Sequence, residues 1–125
     1  MNIEIINKKN KTIFFKSKYG CAEGMWNSKE APKIGKFSVE FSSDVIVDYS
    51  QISKNSILLY ELRADDEKTI ISGCVDEIFE DLISVRVGDD SYIDFESTID
   101  FTDYYYVGDF ITVRTKNLCI YDEGI

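Results

Sequence analysis

The side chains that could do chemistry in this chain are carboxylates, thiols and phenols, because the sequence contains no histidine. Without an imidazole there is no Ser-His-Asp or Cys-His nucleophilic site and no His-ligated zinc. The three cysteines, Cys21, Cys74 and Cys119, form no C-x-x-C pair, so we expect buried or unreactive thiols rather than a disulfide framework, a nucleophile or a metal site. The sequence therefore predicts a protein that is not an enzyme and that holds no cofactor or metal.

Acidic residues are the most abundant chemical feature, and they are unevenly distributed. The 125 residues include 23 Asp and Glu against 14 Lys and Arg, for a formal net charge of −9. Residues 1–36 carry eight Lys and three Glu, whereas residues 37–125 carry six basic and twenty acidic residues. Nucleic-acid binding is not expected, because neutralising phosphates takes clustered Lys and Arg. Two interpretations stay open: a solvated acidic face, or an anionic surface for a basic partner protein.

If the acidic surface binds a partner, the contacts should come from acids in the second half of the chain and from neighbouring tyrosines. The predicted partner-binding residues are Asp89, Asp90, Asp94, Glu96, Asp100, Asp103, Tyr104 and Tyr106. Tyrosine offers a large contact area at small entropic cost, although rings in the run 104–106 could instead pack at a barrel edge. A calcium loop is not expected, because the D-x-[DN]-x-[DN]-G pattern is absent. Carboxylate pairs suited to glycoside hydrolysis arise by chance in so acidic a chain.

The segment 17–35 is the least strand-like part of the sequence, and it holds Tyr19, the lone Trp26 and three glycines. We expect a long loop here. Such a loop either presents Trp26 and Tyr19 to a small ligand or lets Trp26 plug the mouth of a barrel.

Apolar residues recur with period two over many short stretches, as in strands with one buried face. Seventeen Ile and eight Val against three Ala also favour strands over helices. We therefore predict one mainly β domain over residues 1–125, a single antiparallel small barrel or sandwich with few or no helices. A hairpin is expected at Glu80-Asp81. The predicted strands are 2–6, 11–16, 36–41, 44–49, 56–63, 71–79, 83–87, 92–96, 110–114 and 118–121.

The chain shows no feature of secretion or membrane insertion. Glu4, Lys8 and Lys9 interrupt the N-terminal apolar residues, so no signal-peptide core is recognisable. No apolar run approaches the roughly 18 residues that a membrane span needs. A soluble, cytoplasmic protein is expected.

The sequence shows two resemblances to known protein families, one over part of the chain and one over all of it. Residues 70–121 resemble an OB-like small barrel, through a G-x-V-x-x-I start at Gly73-Cys74-Val75-Asp76-Glu77-Ile78 and the strand entry Val107-Gly108-Asp109-Phe110-Ile111-Thr112-Val113. The whole chain resembles the small acidic immunity proteins of bacterial contact-dependent or polymorphic toxin systems in its size, acidity and β-rich build. That resemblance implies an intracellular inhibitor whose acidic surface covers the cleft of a basic, nuclease-type toxin domain. The alternatives are an OB-like accessory module that binds a small molecule or another protein, and a self-assembling structural domain.

Overall fold

The computed structural model describes residues 1–43, 46–66, 68–89, 91–98, 100–116 and 118–123, and most of them lie in strands. The strands are β1 (Asn2–Lys9), β2 (Thr12–Ser17), β3 (Gly20–Trp26), β4 (Gly35–Ser43), β5 (Ile52–Lys54), β6 (Glu61–Asp65), β7 (Lys68–Phe79), β8 (Leu82–Val87), β9 (Ser91–Glu96), β10 (Phe110–Thr115) and β11 (Leu118–Asp122). Within the described residues, helical structure is confined to two short 3-10 turns, Tyr49–Gln51 and Phe101–Asp103. The prediction of a mainly β protein with few or no helices is confirmed.

Five strands close into a barrel in the order β1-β2-β3-β11-β4. The period-two pattern explains its wall: in β1, Ile3 and Ile5 are buried in the interior while Asn2 and Glu4 face outward. Neighbouring strands of the barrel are antiparallel except for β3 and β11, which run parallel.

The remaining six strands form a second sheet in the order β5-β10-β7-β8-β9, with β6 also paired to β7. Strand β7 is long enough to change partners along one edge: β6 pairs with it as far as Ser72, and β8 pairs with it from Cys74 onward. The predicted hairpin between β7 and β8 is confirmed, and its turn holds Glu80 at a φ of 50°.

One hydrophobic core joins the barrel to the second sheet. Its largest fully buried side chains include Phe15 from the barrel, Phe95 from β9, and Phe101 from the second 3-10 turn. At the junction, the backbone N–H of Val47 donates to the Glu96 carbonyl oxygen at 2.8 Å, and Val47 forms an isolated bridge with Ser97. The segment that follows β4 thus covers the C-terminal end of the β9 edge through one bridge.

The prediction of a loop over 17–35 is wrong for residues 20–26, which form β3 and complete the barrel. Gly24 is the physical reason that the sequence was misleading. A Cβ at this position would lie 2.7 Å from both the Leu118 carbonyl oxygen and the Ile120 Cδ1 atom. Gly24 is thus needed inside a strand, where β11 approaches closely, and not for a turn.

Two other predicted strands differ from the structure. Residues 44 and 45 of the predicted strand 44–49 lie outside the described residues, and Tyr49–Gln51 is a 3-10 turn. Only residues 61–63 of the predicted strand 56–63 are extended in a ladder, as the start of β6. The apolar run at 57–59 is exposed, so its side chains do not mark a strand covered on both faces.

The OB-like resemblance implies that residues 70–121 form the barrel, but other strands close it in the structure. Residues 70–121 supply most of β7 and all of β8, β9 and β10, which belong to the second sheet, and only β11 joins the barrel. The strands of the first 43 residues do most of the closing.

The cysteines are all free thiols. Cys119 is buried and Cys74 is half-buried, whereas Cys21 is exposed, so of the two alternatives expected for the thiols burial does not apply to Cys21. Cys21 faces outward because it alternates with the inward-facing Ala22 along β3.

Candidate functional site

Strand β9 presents two of the predicted contact residues on one face. Tyr92, Asp94 and Glu96 are exposed and alternate with Ile93 and Phe95, which are buried in the core. The alternation places both carboxylates on the outer side of the second sheet, next to the edge that meets the barrel.

A groove of about 300 Å³ runs between β4 of the barrel and β9 of the second sheet. Its charged lining consists of three carboxylates from three parts of the chain: Glu40 in β4, Asp94 in β9, and Glu123 just after β11. Tyr92 lines the same groove. No lining residue is basic, so the groove is anionic.

Glu123 is fixed at the groove by Ser38 of β4. The Ser38 hydroxyl donates a hydrogen bond to the Glu123 carboxylate, and the Glu123 backbone N–H donates to the Ser38 carbonyl oxygen at 3.0 Å. Sequence reasoning missed Glu40 and Glu123, because the pairing of β4 with β11 and the contact of β4 with β9 are long-range features without a local signal.

Asp100 and Asp103 lie together at one end of the second sheet. Asp100 caps the 3-10 turn Phe101–Asp103, accepting hydrogen bonds from the hydroxyl and the backbone N–H of Thr102. These two hydrogen bonds, the hydroxyl first, hold the pKa of the Asp100 carboxyl below its ordinary value. Phe101 anchors the turn, since its ring is fully buried and its N–H donates to the Glu80 carbonyl oxygen at 2.8 Å.

The same contacts bring further acids to this end of the sheet. The Ser97 N–H donates to the Asp81 carbonyl oxygen at 2.9 Å, so the turn between β7 and β8 lies beside the segment that leads to Asp100. Glu96 is the register partner of Leu82, the first residue after that turn. We call Glu80, Asp81, Glu96, Asp100 and Asp103 the acidic end of the sheet.

The three consecutive tyrosines have different surroundings and do not lie on a strand. Tyr105 is buried, with its ring centroid 6.0 Å from that of Phe101, whereas Tyr104 and Tyr106 are 45% and 72% exposed. Two of the three rings therefore reach solvent. The Lys54 ammonium lies 5.9 Å from the centre of the Tyr106 ring.

Asp89 lies apart from the acidic end. It is exposed in the turn that follows β8, at the opposite end of the β8–β9 hairpin from the Leu82–Glu96 pair. The hairpin has six register pairs from Leu82–Glu96 to Val87–Ser91, so its first and last pairs are about 17 Å apart at the rise of an antiparallel strand. Asp90 lies outside the described residues. The predicted contact residues are therefore spread along the sheet and do not form one cluster.

Trp26 is used in packing. It is 2% exposed, its indole N–H donates to the Glu30 carbonyl oxygen at 2.8 Å, and its ring centroid lies 5.4 Å from that of Phe37. These contacts fit the interpretation of Trp26 as a plug better than that of a ligand-binding side chain.

Tyr19 belongs to an aromatic junction between the barrel and the second sheet. Its ring packs edge-on against Tyr60 at 5.9 Å, and Arg86 donates to the Tyr60 hydroxyl at 2.8 Å and to the Gly88 carbonyl oxygen at 2.7 Å. The hydrogen bond with Tyr60 raises the pKa of Arg86 above its ordinary value. Tyr19 is half-buried and already packed against its neighbours.

The anionic groove and the acidic end are not neutralised from within. In the described part of the chain, the ion pairs within 4.0 Å are Lys54–Asp109 and Arg63–Glu61, neither of which includes a groove or acidic-end carboxylate. The described residues also contain no group of three or more Cys, Asp or Glu side chains placed to hold a metal ion.

Comparisons with protein-family models, with curated proteins and with solved structures found no match to this chain. Across the described ranges, no helix has the length and apolar character needed to cross a membrane.

Proposed function

We propose that the protein is a non-enzymatic inhibitor of the immunity-protein kind, which binds a basic protein domain through the anionic groove and the acidic end of the second sheet. The observation that carries this proposal is the groove, where Glu40, Asp94 and Glu123 converge without a basic residue among its lining. As an inhibitor of a nuclease-type toxin it would act in the cytoplasm.

The physical argument is electrostatic complementarity. Carboxylates that lack an internal cation partner are best compensated by Lys or Arg side chains of another molecule, and guanidinium groups match carboxylates in paired hydrogen bonds. A groove of about 300 Å³ has room for about ten water molecules at liquid density. A long basic side chain can therefore enter the groove by displacing this water. Tyr92 in the groove supplies an aromatic face against which such a cation can pack.

The neighbouring surface extends the contact beyond a single side chain. Glu96 continues the outer face of β9 toward the acidic end. Tyr104 and Tyr106 are exposed elsewhere on the second sheet, and Tyr106 lies beside Lys54 of β5, at the opposite edge from β9. Tyrosine and arginine are the residue types that most often carry binding energy at protein interfaces. We therefore assign Asp94 the central electrostatic role, and Tyr104 or Tyr106 the role of an anchor at the periphery of the contact.

The proposal is tested by co-expression with the product of the adjacent reading frame, followed by size-exclusion chromatography at about 50 and 500 mM salt, where screening differs strongly. We expect a stoichiometric complex that forms more completely at low salt. We also expect the substitution Asp94→Lys to weaken this complex. Glu30→Lys is the matched control, because it makes the same charge change at an exposed residue between β3 and β4. A complex that both variants weaken equally, or no complex with a well-folded neighbour, would refute the assignment.

A further inference from the structure

The lysines of the first 36 residues create a second charged surface, on the barrel and separate from the anionic groove. In the barrel wall, Glu4 of β1 has two register partners, Lys16 in β2 and Lys36 in β4. All three side chains are exposed and face outward, opposite to the buried Ile3 and Ile5. One cross-strand row thus reads Lys-Glu-Lys.

A second row lies beside the first and holds one lysine and two shorter polar side chains. Asn2 of β1 is the register partner of Ser38 in β4, and Lys18 follows directly after β2. Together the two rows line a cavity of about 690 Å³ over the first residues of β1. This volume is in the range of small-molecule sites, and the cavity is an open groove over the barrel wall.

The lysines stand on both sides of the groove. Strands β2 and β4 flank β1, so their backbones are about 10 Å apart at the usual spacing between neighbouring strands. Each lysine side chain can therefore lean over β1, and ammonium groups from opposite walls can meet one bound group. Among the described residues, Lys16, Lys18 and Lys36 take part in no ion pair within 4.0 Å.

From this arrangement we propose that the groove over β1 binds a small organic anion of two or more charges, a molecule that carries a phosphate, a diphosphate or two carboxylates. Three ammonium groups against the single Glu4 give the groove a local positive charge, although the whole chain is at −9. Asn2 adds a neutral amide that can donate to the anion, whereas the Ser38 hydroxyl already donates to Glu123. The site is independent of the proposed inhibitor function, since it lies on the barrel wall and shares no lining residue with the anionic groove. The two grooves meet at Ser38, which lines the groove over β1 and donates its hydroxyl hydrogen to Glu123 of the anionic groove.

Glu4 and the lysines that flank it should affect anion affinity in opposite directions, and this difference tests the proposal. If the groove binds an anion, removal of the central carboxylate must strengthen binding, whereas removal of a flanking ammonium must weaken it. From the energies of exposed charge pairs, each single change should alter the affinity about two- to fivefold. A merely structural role of these exposed residues would not produce opposite signs.

The experiment titrates the whole ¹⁵N-labelled protein with inorganic pyrophosphate and, separately, with succinate, and follows the backbone amide shifts. Sodium chloride at equal ionic strength is the blank for screening. We expect saturable shifts in β1, β2 and β4, weaker binding for K16Q/K36Q, and tighter binding for E4Q. The control K9Q/K11Q removes two lysines from the far end of the same hairpin and should leave the affinity unchanged. Preference for pyrophosphate or for succinate identifies the phosphate or dicarboxylate branch of the proposal.

Several results would overturn it. One is the absence of saturation up to about 10 mM of either anion, which is weaker than any affinity of functional interest. Another is an equal loss of anion affinity in K9Q/K11Q and K16Q/K36Q, which would indicate non-specific electrostatic attraction. A third is a salt-sensitive dimer in sedimentation, with shifts in β1 that follow dilution instead of pyrophosphate. That result would assign the groove to the acidic surface of a second copy. Circular dichroism of each variant checks that the barrel is intact.

Discussion

Gly73 occupies the position where β7 changes partners. Replacing it by alanine should lower the stability of the fold because the new methyl group has no room there. The residue before it pairs with β6 and the residue after it pairs with β8. A Cβ at Gly73 would overlap the Arg86 carbonyl oxygen, and would lie 3.0 Å from the Val85 Cγ1 atom. The obstacle is backbone of β8, which cannot rotate away as a side chain could. Relief requires β7 and β8 to separate locally.

The expected cost follows from that geometry. Overpacking in a well-packed interior costs about 1–3 kcal/mol. Loss of a ladder hydrogen bond adds about 1 kcal/mol, so Gly73→Ala should lower the free energy of unfolding by about 2–4 kcal/mol. For a chain of this size, the shift corresponds to a Tm about 10 °C lower. Urea denaturation followed by circular dichroism measures both the midpoint and the slope.

Gly108 supplies the matched control. It has a φ of +96°, but no heavy atom lies within 4 Å of a Cβ built there. Gly108→Ala therefore costs only the backbone preference, about 1–2 kcal/mol. If Gly73→Ala proves no more destabilising than Gly108→Ala, the change of strand partner at Gly73 does not have the tight backbone approach described here.

Two further substitutions test local features of the surface. Thr102→Val removes the hydroxyl donor to Asp100, so the pKa of that carboxyl should rise toward its ordinary value in a ¹³C NMR titration; an unchanged pKa would contradict the assigned cause. A carboxyl whose pKa is lowered in the folded state stabilises the fold at pH values above its unfolded-state pKa, and this contribution is lost as the pH falls through the folded-state pKa. The variant has less of this contribution to lose, so its stability should fall less on acidification than that of the wild type. Gly88→Ala places a Cβ against the Tyr19 ring at a φ of +77°, so displacement of the ring adds to the backbone cost. We expect about 2–3 kcal/mol of destabilisation in urea, more than for Gly108→Ala, whose Cβ would meet no heavy atom within 4 Å.

Local patterns predicted the strands in which alternation and turn chemistry agree. In β4, Val39 and Phe41 are buried and alternate with exposed Ser38 and Glu40, as period two requires. The tight acidic turn between β7 and β8 was likewise recognisable from the residues around it. In both cases neighbouring residues in the sequence determine the conformation.

The features that could not be predicted depend on contacts between distant residues. Gly24 is typical of a loop in the sequence, but its role is set by the parallel approach of β11, which lies about ninety residues away. Ile57 belongs to an apolar run that predicts a buried strand, yet it is exposed in the connection between β5 and β6. The anionic groove combines β4, β9 and the residue after β11, so the sequence identified Asp94 but not the two carboxylates beside it.

The most direct test of the proposed inhibitor function is the association rate with the partner from the adjacent reading frame, measured by stopped-flow mixing at about 50 and 500 mM salt. Electrostatic complementarity acts mainly on this rate, and its effect falls with ionic strength. The account predicts that Asp94→Lys slows association about tenfold at low salt and much less at high salt, whereas Glu30→Lys has a small effect at either. Equal association rates for the wild type and Asp94→Lys at low salt would contradict it.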